Sequence, residues 1–171
     1  MQTEFLVAKI ALSILDYGVI DDIDYSIQSD DIDKQLLLFN AIIIPHKNRY
    51  ERCYTDETRK TECTNFIKNY EKVFQGSFLS VDLVENIFQL ITSNDLYSTQ
   101  FSESCRKLLE NIHTCKIVEI RYAILSRIIS MIVRCRIYGR EPIDTYLREC
   151  VDEVDRLHLE YGDIKQISFL E

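Results

Sequence analysis

The sequence predicts an all-α fold, a bundle of about six to eight helices, on three observations. Apolar residues recur at helical spacing through most of the chain, all four glycines stand where such a run stops, and both prolines stand at run boundaries. Gly18 follows the run 3–17, Gly76 follows 63–74, Gly139 closes 117–138 and Gly162 closes 143–161. Glycine is favoured just past a helix end because it enters the left-handed region without a steric penalty. Pro45 is expected to end the run 36–44, and Pro142 to occupy a first helical position. With every glycine used as punctuation, none is left for a phosphate-cradling loop or a nucleophile elbow.

The first predicted helix, 3–17, sets Phe5, Leu6, Ile10, Ile14 and Tyr17 on one side and Lys9, Ser13 and Asp16 on the other. An acidic connector follows. The run Leu36-Leu37-Leu38-Phe39-Asn40-Ala41-Ile42-Ile43-Ile44 suits a helix or a buried strand equally by pattern; helix is expected because no other segment supplies a strand to pair with it. Asn40 inside it needs a hydrogen-bond partner if buried. After a polar stretch, 46–62, comes a helix through Cys63, Phe66, Ile67, Tyr70, Val73 and Phe74, with Thr55 a plausible N-cap backed by Asp56 and Glu57. Ser80 and Asp82 open a shorter helix reaching Ile91, and a polar linker separates it from the run 101–115.

Residues 117–138 read as a hydrophobic central helix: Glu119, Ser126, Arg127, Ser130 and Arg134 form one narrow polar stripe in an otherwise apolar surface. The last helix, 143–161, turns Ile143, Leu147, Cys150, Val154, Leu157 and Tyr161 inward and carries the pairs Asp144–Arg148 and Asp152–Arg156 on its wet face. No repeat, low-complexity tract or long linker divides residues 1–171, so a single helical domain is expected.

Composition removes several classes of function. A formal charge of −8 lacks the basic footprint of a nucleic-acid binder. No window supplies the roughly 20 uninterrupted apolar residues of a membrane span, and from Met1-Gln2-Thr3-Glu4 no secretory leader is expected. The six cysteines form no CxxC pair and fall mostly in phase with apolar faces. That pattern favours a reducing compartment, cytoplasm or nucleus, over a disulfide-braced secreted helical cytokine, which stays the minority reading.

The chemistry-bearing clusters are weak. Counting from Asp22, the connector places Asp22, Asp24, Ser26, Gln28, Asp30 and Asp33 at the ligand positions of a calcium loop. Ile27 occupies the sharp turn that requires glycine, and Asp33 replaces a longer bidentate Glu, so the segment reads as a solvated acidic linker. Cys105, His113 and Cys115 match no zinc-ligand spacing, and His46, His113 and His158 lie on separate elements. No metal, cofactor or catalytic residue is expected, and the chain reads as non-enzymatic.

The arginines are the candidates. Arg121 falls opposite the polar stripe, among Val118, Leu125, Ile128 and Ile132. An arginine buried there must be paired. An internal salt bridge with an acid near Glu85 is the first expectation; an arginine on a groove floor, meeting a partner's carboxylate, is the second. Arg121, Arg127 and Arg134 together are the candidate partner-binding residues.

The segment 105–157 resembles the small Bcl-like apoptosis inhibitors of poxviruses: an amphipathic helix ending Arg106-Lys107-Leu108-Leu109-Glu110, a short connector, an apolar helix from Val118-Glu119-Ile120-Arg121, then another amphipathic helix. The resemblance implies a hydrophobic helix wrapped by amphipathic ones, with a groove for a partner's helix and a role in host–virus control of apoptosis or innate signalling. The Asn-Trp-Gly-Arg signature of the cellular family is absent, so no functional residue is carried over. Glu119-Ile120-Arg121-Tyr122 is also similar to a local phrase in subunits of the replication GINS complex. The expectation is an intracellular protein-interaction module, with a constitutive subunit of a multiprotein complex as the alternative and a homodimer allowed.

Overall fold

The computed structural model describes residues 3–20, 31–75, 79–92, 99–115 and 117–164. The described residues form seven α-helices and no strand, so the chain is all-α. None of these helices is long and apolar enough to cross a membrane. Contacts gather into two compact units, Met1–Val81 and Asp82–Phe169.

The first unit holds α1 (Thr3–Tyr17), α2 (Ile32–Glu51) and α3 (Asp56–Val73), with α1 packed on α2 and α2 on α3. Helix α1 stops where glycine predicts: Gly18 has φ +77° and its N–H donates to the Ile14 carbonyl at 2.8 Å. A Cβ on Gly18 would lie 2.9 Å from Arg49 Nη2, the far end of a side chain that can shift, so it is the backbone angle that requires glycine. The inward face differs from the expected one. Leu6, Ile10, Ser13 and Ile14 are buried, whereas Phe5 and Tyr17 are exposed. Ser13 is tolerated inside because its hydroxyl donates to the Val19 carbonyl at 2.7 Å.

The run 36–44 is helical, but Pro45 does not end it: α2 continues to Glu51 with Pro45 buried inside. Proline there deletes a helical hydrogen bond at a cost of about 3 kcal/mol. The turns on both sides are anchored by Phe39, Ile42, Ile43, His46 and Tyr50, all buried, and that burial outweighs the lost bond. The Asn40 Oδ1 atom is buried without a partner, so the hydrogen bond expected of it is not made.

Thr55 caps α3 as expected, in a capping box. Its side chain accepts from the Thr58 N–H at 3.1 Å and its own N–H donates to Thr58 Oγ1 at 3.3 Å. The helix therefore begins at Asp56, two turns before the apolar run at Cys63. Phe39, Phe66 and Tyr70 meet with ring centroids 6.1–6.3 Å apart, and Phe74 adds a fourth ring at 4.9 Å from Tyr70. Gly76 and the calcium-like connector from Asp22 to Asp30 lie outside the described residues, while Asp33 sits in the first turn of α2.

The second unit holds α4 (Val81–Ile91), α5 (Thr99–Asn111), a single 3-10 turn (Ile112–Thr114), α6 (Val118–Arg134) and α7 (Ile143–Tyr161). Helix α7 packs on both α5 and α6. Helix α6 ends four residues before the predicted Tyr138, because the chain makes its own stop. Arg136 takes φ 55°, its N–H donates to Val133 and the Ile137 N–H donates to Ile132. That is the Schellman hydrogen-bond pair, with arginine in the place usually held by glycine and Ile137 buried beyond it. Gly139, at φ 101°, belongs to the following turn and not to the cap.

Helix α7 has the predicted bounds and ends at Gly162, φ 72°; Pro142 is its N-cap, one residue before the expected position. It buries Ile143, Cys150 and Leu157, a seven-residue spacing, while Leu147 and Val154 are half-buried and Tyr161 is exposed. A seam this narrow suits a helix covered from one side. The expected i,i+4 pairs are not formed: Arg148 approaches Glu141 at 3.5 Å and Arg156 approaches Glu153 at 2.5 Å. Asp144 instead accepts from the Gly139 N–H at 2.6 Å, locking the turn ahead of the helix.

Candidate functional site

Two polar arrangements stand out, one in each unit. In the second unit, Arg127 of α6 lines a small, shallow cleft, partly open to solvent. The other walls are aliphatic: Ile87, Leu90 and Ile91 from α4, Leu108 from α5, and Ile124 and Ile128 from α6. Ser104 of α5 donates to Gln89 of α4 at 2.9 Å and ties the two walls together. Arg127 is half-buried, and its Nε is buried without a hydrogen-bond partner. No ion pair joins Arg127 to another described residue. A guanidinium donor kept from water and left unmatched is energetically incomplete. Beside an aliphatic cleft it suits a ligand group that carries an apolar anchor and a carboxylate close together.

The other two arginines are placed differently. At about 100° per residue, Arg134 follows Arg127 on nearly the same side of α6, two turns further on, while Arg121 lies about 120° round the helix. Arg134 is exposed in the last turn, where its positive charge complements the negative end of the helix dipole. Arg121 is half-buried, with its Nε buried and unmatched, and forms no ion pair with a described residue. The internal salt bridge near Glu85 is therefore not made. Its state matches that of Arg127, half-buried with an unmatched Nε; the difference is that Arg121 does not line the aliphatic cleft. Its charge also acts on Cys115, whose thiol burial pushes up to about 11 against the pull of Arg121. Of the three predicted site residues, the cleft takes Arg127 alone.

In the first unit, sequence reasoning misses a closed polar network around His46. The imidazole is fully buried; its Nδ1 lies 3.1 Å from Glu62 Oε2 and its Nε2 lies 2.9 Å from Asn69 Nδ2. Arg49 Nε donates to the other Glu62 oxygen at 2.9 Å. Asn69 Oδ1 accepts from the Ile20 N–H at 3.1 Å, and Nδ2 also donates to the Gly18 carbonyl at 3.1 Å. These partners fix the proton positions: Asn69 must donate to Nε2, so Nδ1 carries the proton and donates to the carboxylate.

Burial lowers the His46 pKa despite the neighbouring carboxylate. Burial also pushes Glu62 upward, but hydrogen bonds from His46 and Arg49 outweigh it and hold the carboxyl below its ordinary value. A His–carboxylate pair resembles general-base chemistry. With both ring nitrogens engaged and the ring inaccessible, this one fastens the 18–20 turn against α2 and α3. The sequence carries little signal of it, since His46 falls in the stretch read as polar and nothing in the spacing joins two residues 23 apart.

His113 is exposed on the 3-10 turn, and His158 packs edge-on to Tyr122 at 5.2 Å. Among the described residues, no group of three or more His, Cys, Asp or Glu side chains is placed to hold a metal ion. No disulfide joins any of the six cysteines. No family model, curated protein or solved structure matches the chain.

Proposed function

We propose that this protein is a non-enzymatic interaction module, working inside the cell, that receives an amphipathic helix of a partner protein at the α4–α5–α6 cleft. The observation that carries the reading is the unmatched, buried Nε of Arg127 on an otherwise aliphatic wall. An apolar side chain fills the cleft, and an acid one turn away on the same helix face meets the guanidinium. Six cysteines without a disulfide suit a reducing compartment and support the intracellular assignment. The likeness of segment 105–157 to poxvirus Bcl-like inhibitors points to pro-apoptotic helices as the first ligands to try.

Titration of the full chain with labelled pro-apoptotic helical peptides tests this. Binding is expected with a Kd at or below about 10 μM, equivalent to about −7 kcal/mol. Arg127→Met keeps the apolar stem and removes the charge, so affinity is expected to fall at least about tenfold while the unfolding midpoint stays put. Absence of binding, or equal binding by Arg127→Met, rejects the cleft as the site. Turnover of a substrate that is lost on changing one polar residue rejects the non-enzymatic assignment.

A further inference from the structure

Helix α1 carries two apolar faces, and the fold uses one. Leu6, Ile10 and Ile14 are buried, while Phe5 and Leu12 are each 58% exposed, Leu15 is 40% exposed and Ala8 is exposed with them. Positions 5, 8, 12 and 15 alternate in steps of three and four, the spacing of a helix–helix seam. At about 100° per residue the stripe points roughly opposite to the buried face. A contiguous apolar stripe at this spacing marks a contact surface more strongly than scattered exposed residues do.

The charges beside the stripe select the occupant. Lys9 and Asp16 are both exposed, lie on the same edge of the stripe seven residues apart, and have opposite sign. Neither forms an ion pair with a described residue; the Lys9 ammonium stands 5.6 Å over the Phe5 ring. Set two copies of α1 antiparallel across a two-fold axis, and the Lys9 of each copy faces the Asp16 of the other. A parallel pair about a two-fold along the helices sets this edge of one copy against the other edge of its mate, so Lys9 and Asp16 do not meet. The face is thus self-complementary in the antiparallel orientation alone, as an isologous interface requires.

We propose that the outer face of α1 is the interface of an antiparallel homodimer of this chain. The surface lies in the first unit and is independent of the cleft reading. One helix about 22 Å long covers little area, so the dimer belongs at the weak end of specific interfaces, with dissociation in the tens of micromolar.

Sedimentation velocity on the full chain from about 1 to 200 μM tests the proposal, with circular dichroism to show that each variant keeps its fold. Leu12→Asp is expected to weaken the dimer about 100-fold, since the change enters the interface twice. Lys9→Glu should weaken it about tenfold, and Lys9→Glu combined with Asp16→Lys should restore it. A wild-type chain that stays monomeric at 200 μM overturns the proposal, and flotation of that monomer with phospholipid vesicles would reassign the stripe to a lipid surface. A dimer indifferent to Leu12→Asp, or a charge exchange that fails to rescue, overturns it equally.

Discussion

Much of the first unit turns on one residue, Asn69, which engages the Nε2 side of His46 while Glu62 takes the Nδ1 side. Its amide takes the Ile20 N–H, gives one proton to the Gly18 carbonyl and gives the other to the imidazole. Protonating His46 would set an N–H against that amide donor, and burial already disfavours the charge. The folded-state pKa therefore lies below the ordinary 6.5, so the unfolded chain binds the proton more readily. Stability from this residue is complete above about pH 6.5 and drains away as pH falls through the folded value. Glu62 follows the same sign at lower pH, its contribution fading below about 4.5. Urea midpoints measured from pH 8 to pH 4 are expected to hold above pH 6.5 and then decline steadily, while the His46 ring signals in NMR show no titration near 6.5. A ring that titrates at its ordinary value would mean that the network is open to water.

At the scale of elements, helix ends are set by whichever backbone bonds the next few residues complete. Helix α6 stops at Arg134 because Arg136 accepts the left-handed conformation and lets Ile137 turn back to bond Ile132 and bury itself. A non-glycine residue pays about 1–2 kcal/mol for that geometry. Arg136 is exposed and makes no ion pair with a described residue, so Arg136→Gly should recover part of the cost, less the added freedom of the unfolded chain. A net gain of about 0.5–1 kcal/mol is expected, a rise of a few degrees in Tm by calorimetry. No change, or a loss, would show that the arginine stem contributes packing that outweighs the strain. Helix α2 teaches the opposite lesson, since Pro45 fails to stop a helix whose buried residues continue on both sides.

Across the whole molecule, the thiols report on how tightly each unit is packed within itself. Cys135 is exposed, Cys53 is half-buried, and Cys63, Cys105, Cys115 and Cys150 are buried. Burial pushes Cys105 and Cys150 up to about 12 and Cys115 to about 11, which removes the reactive thiolate as well as access to it. A chromogenic disulfide reagent at pH 8 is expected to label Cys135 within minutes and Cys53 more slowly. The other four should react at the rate of unfolding, and all six in denaturant. Fast labelling of Cys105 or Cys150 in native buffer would show that the α5–α7 packing opens readily.

The sequence by itself determined the all-α class, the bounds of α1 and α7, and the Thr55 cap, while its pattern left 36–44 open between helix and strand. Those features rest on periodicity and on local bonds that a few neighbouring residues complete. Tertiary structure decided the continuation of α2 through Pro45 and the burial of Ser13. It also decided which arginine meets a cleft. Arg127 lay in the predicted polar stripe and Arg121 on the predicted apolar side, yet the aliphatic wall from α4 and α5 falls beside Arg127. Helical periodicity gives the direction of a side chain from its own axis; what stands opposite is supplied by segments distant in sequence. The His46 network is the clearest case, because Gly18, Ile20, Arg49, Glu62 and Asn69 reach it from two helices and a turn. Each of those bonds exists because burial makes an unmatched polar group costly, a pressure that arises only once the chain has folded.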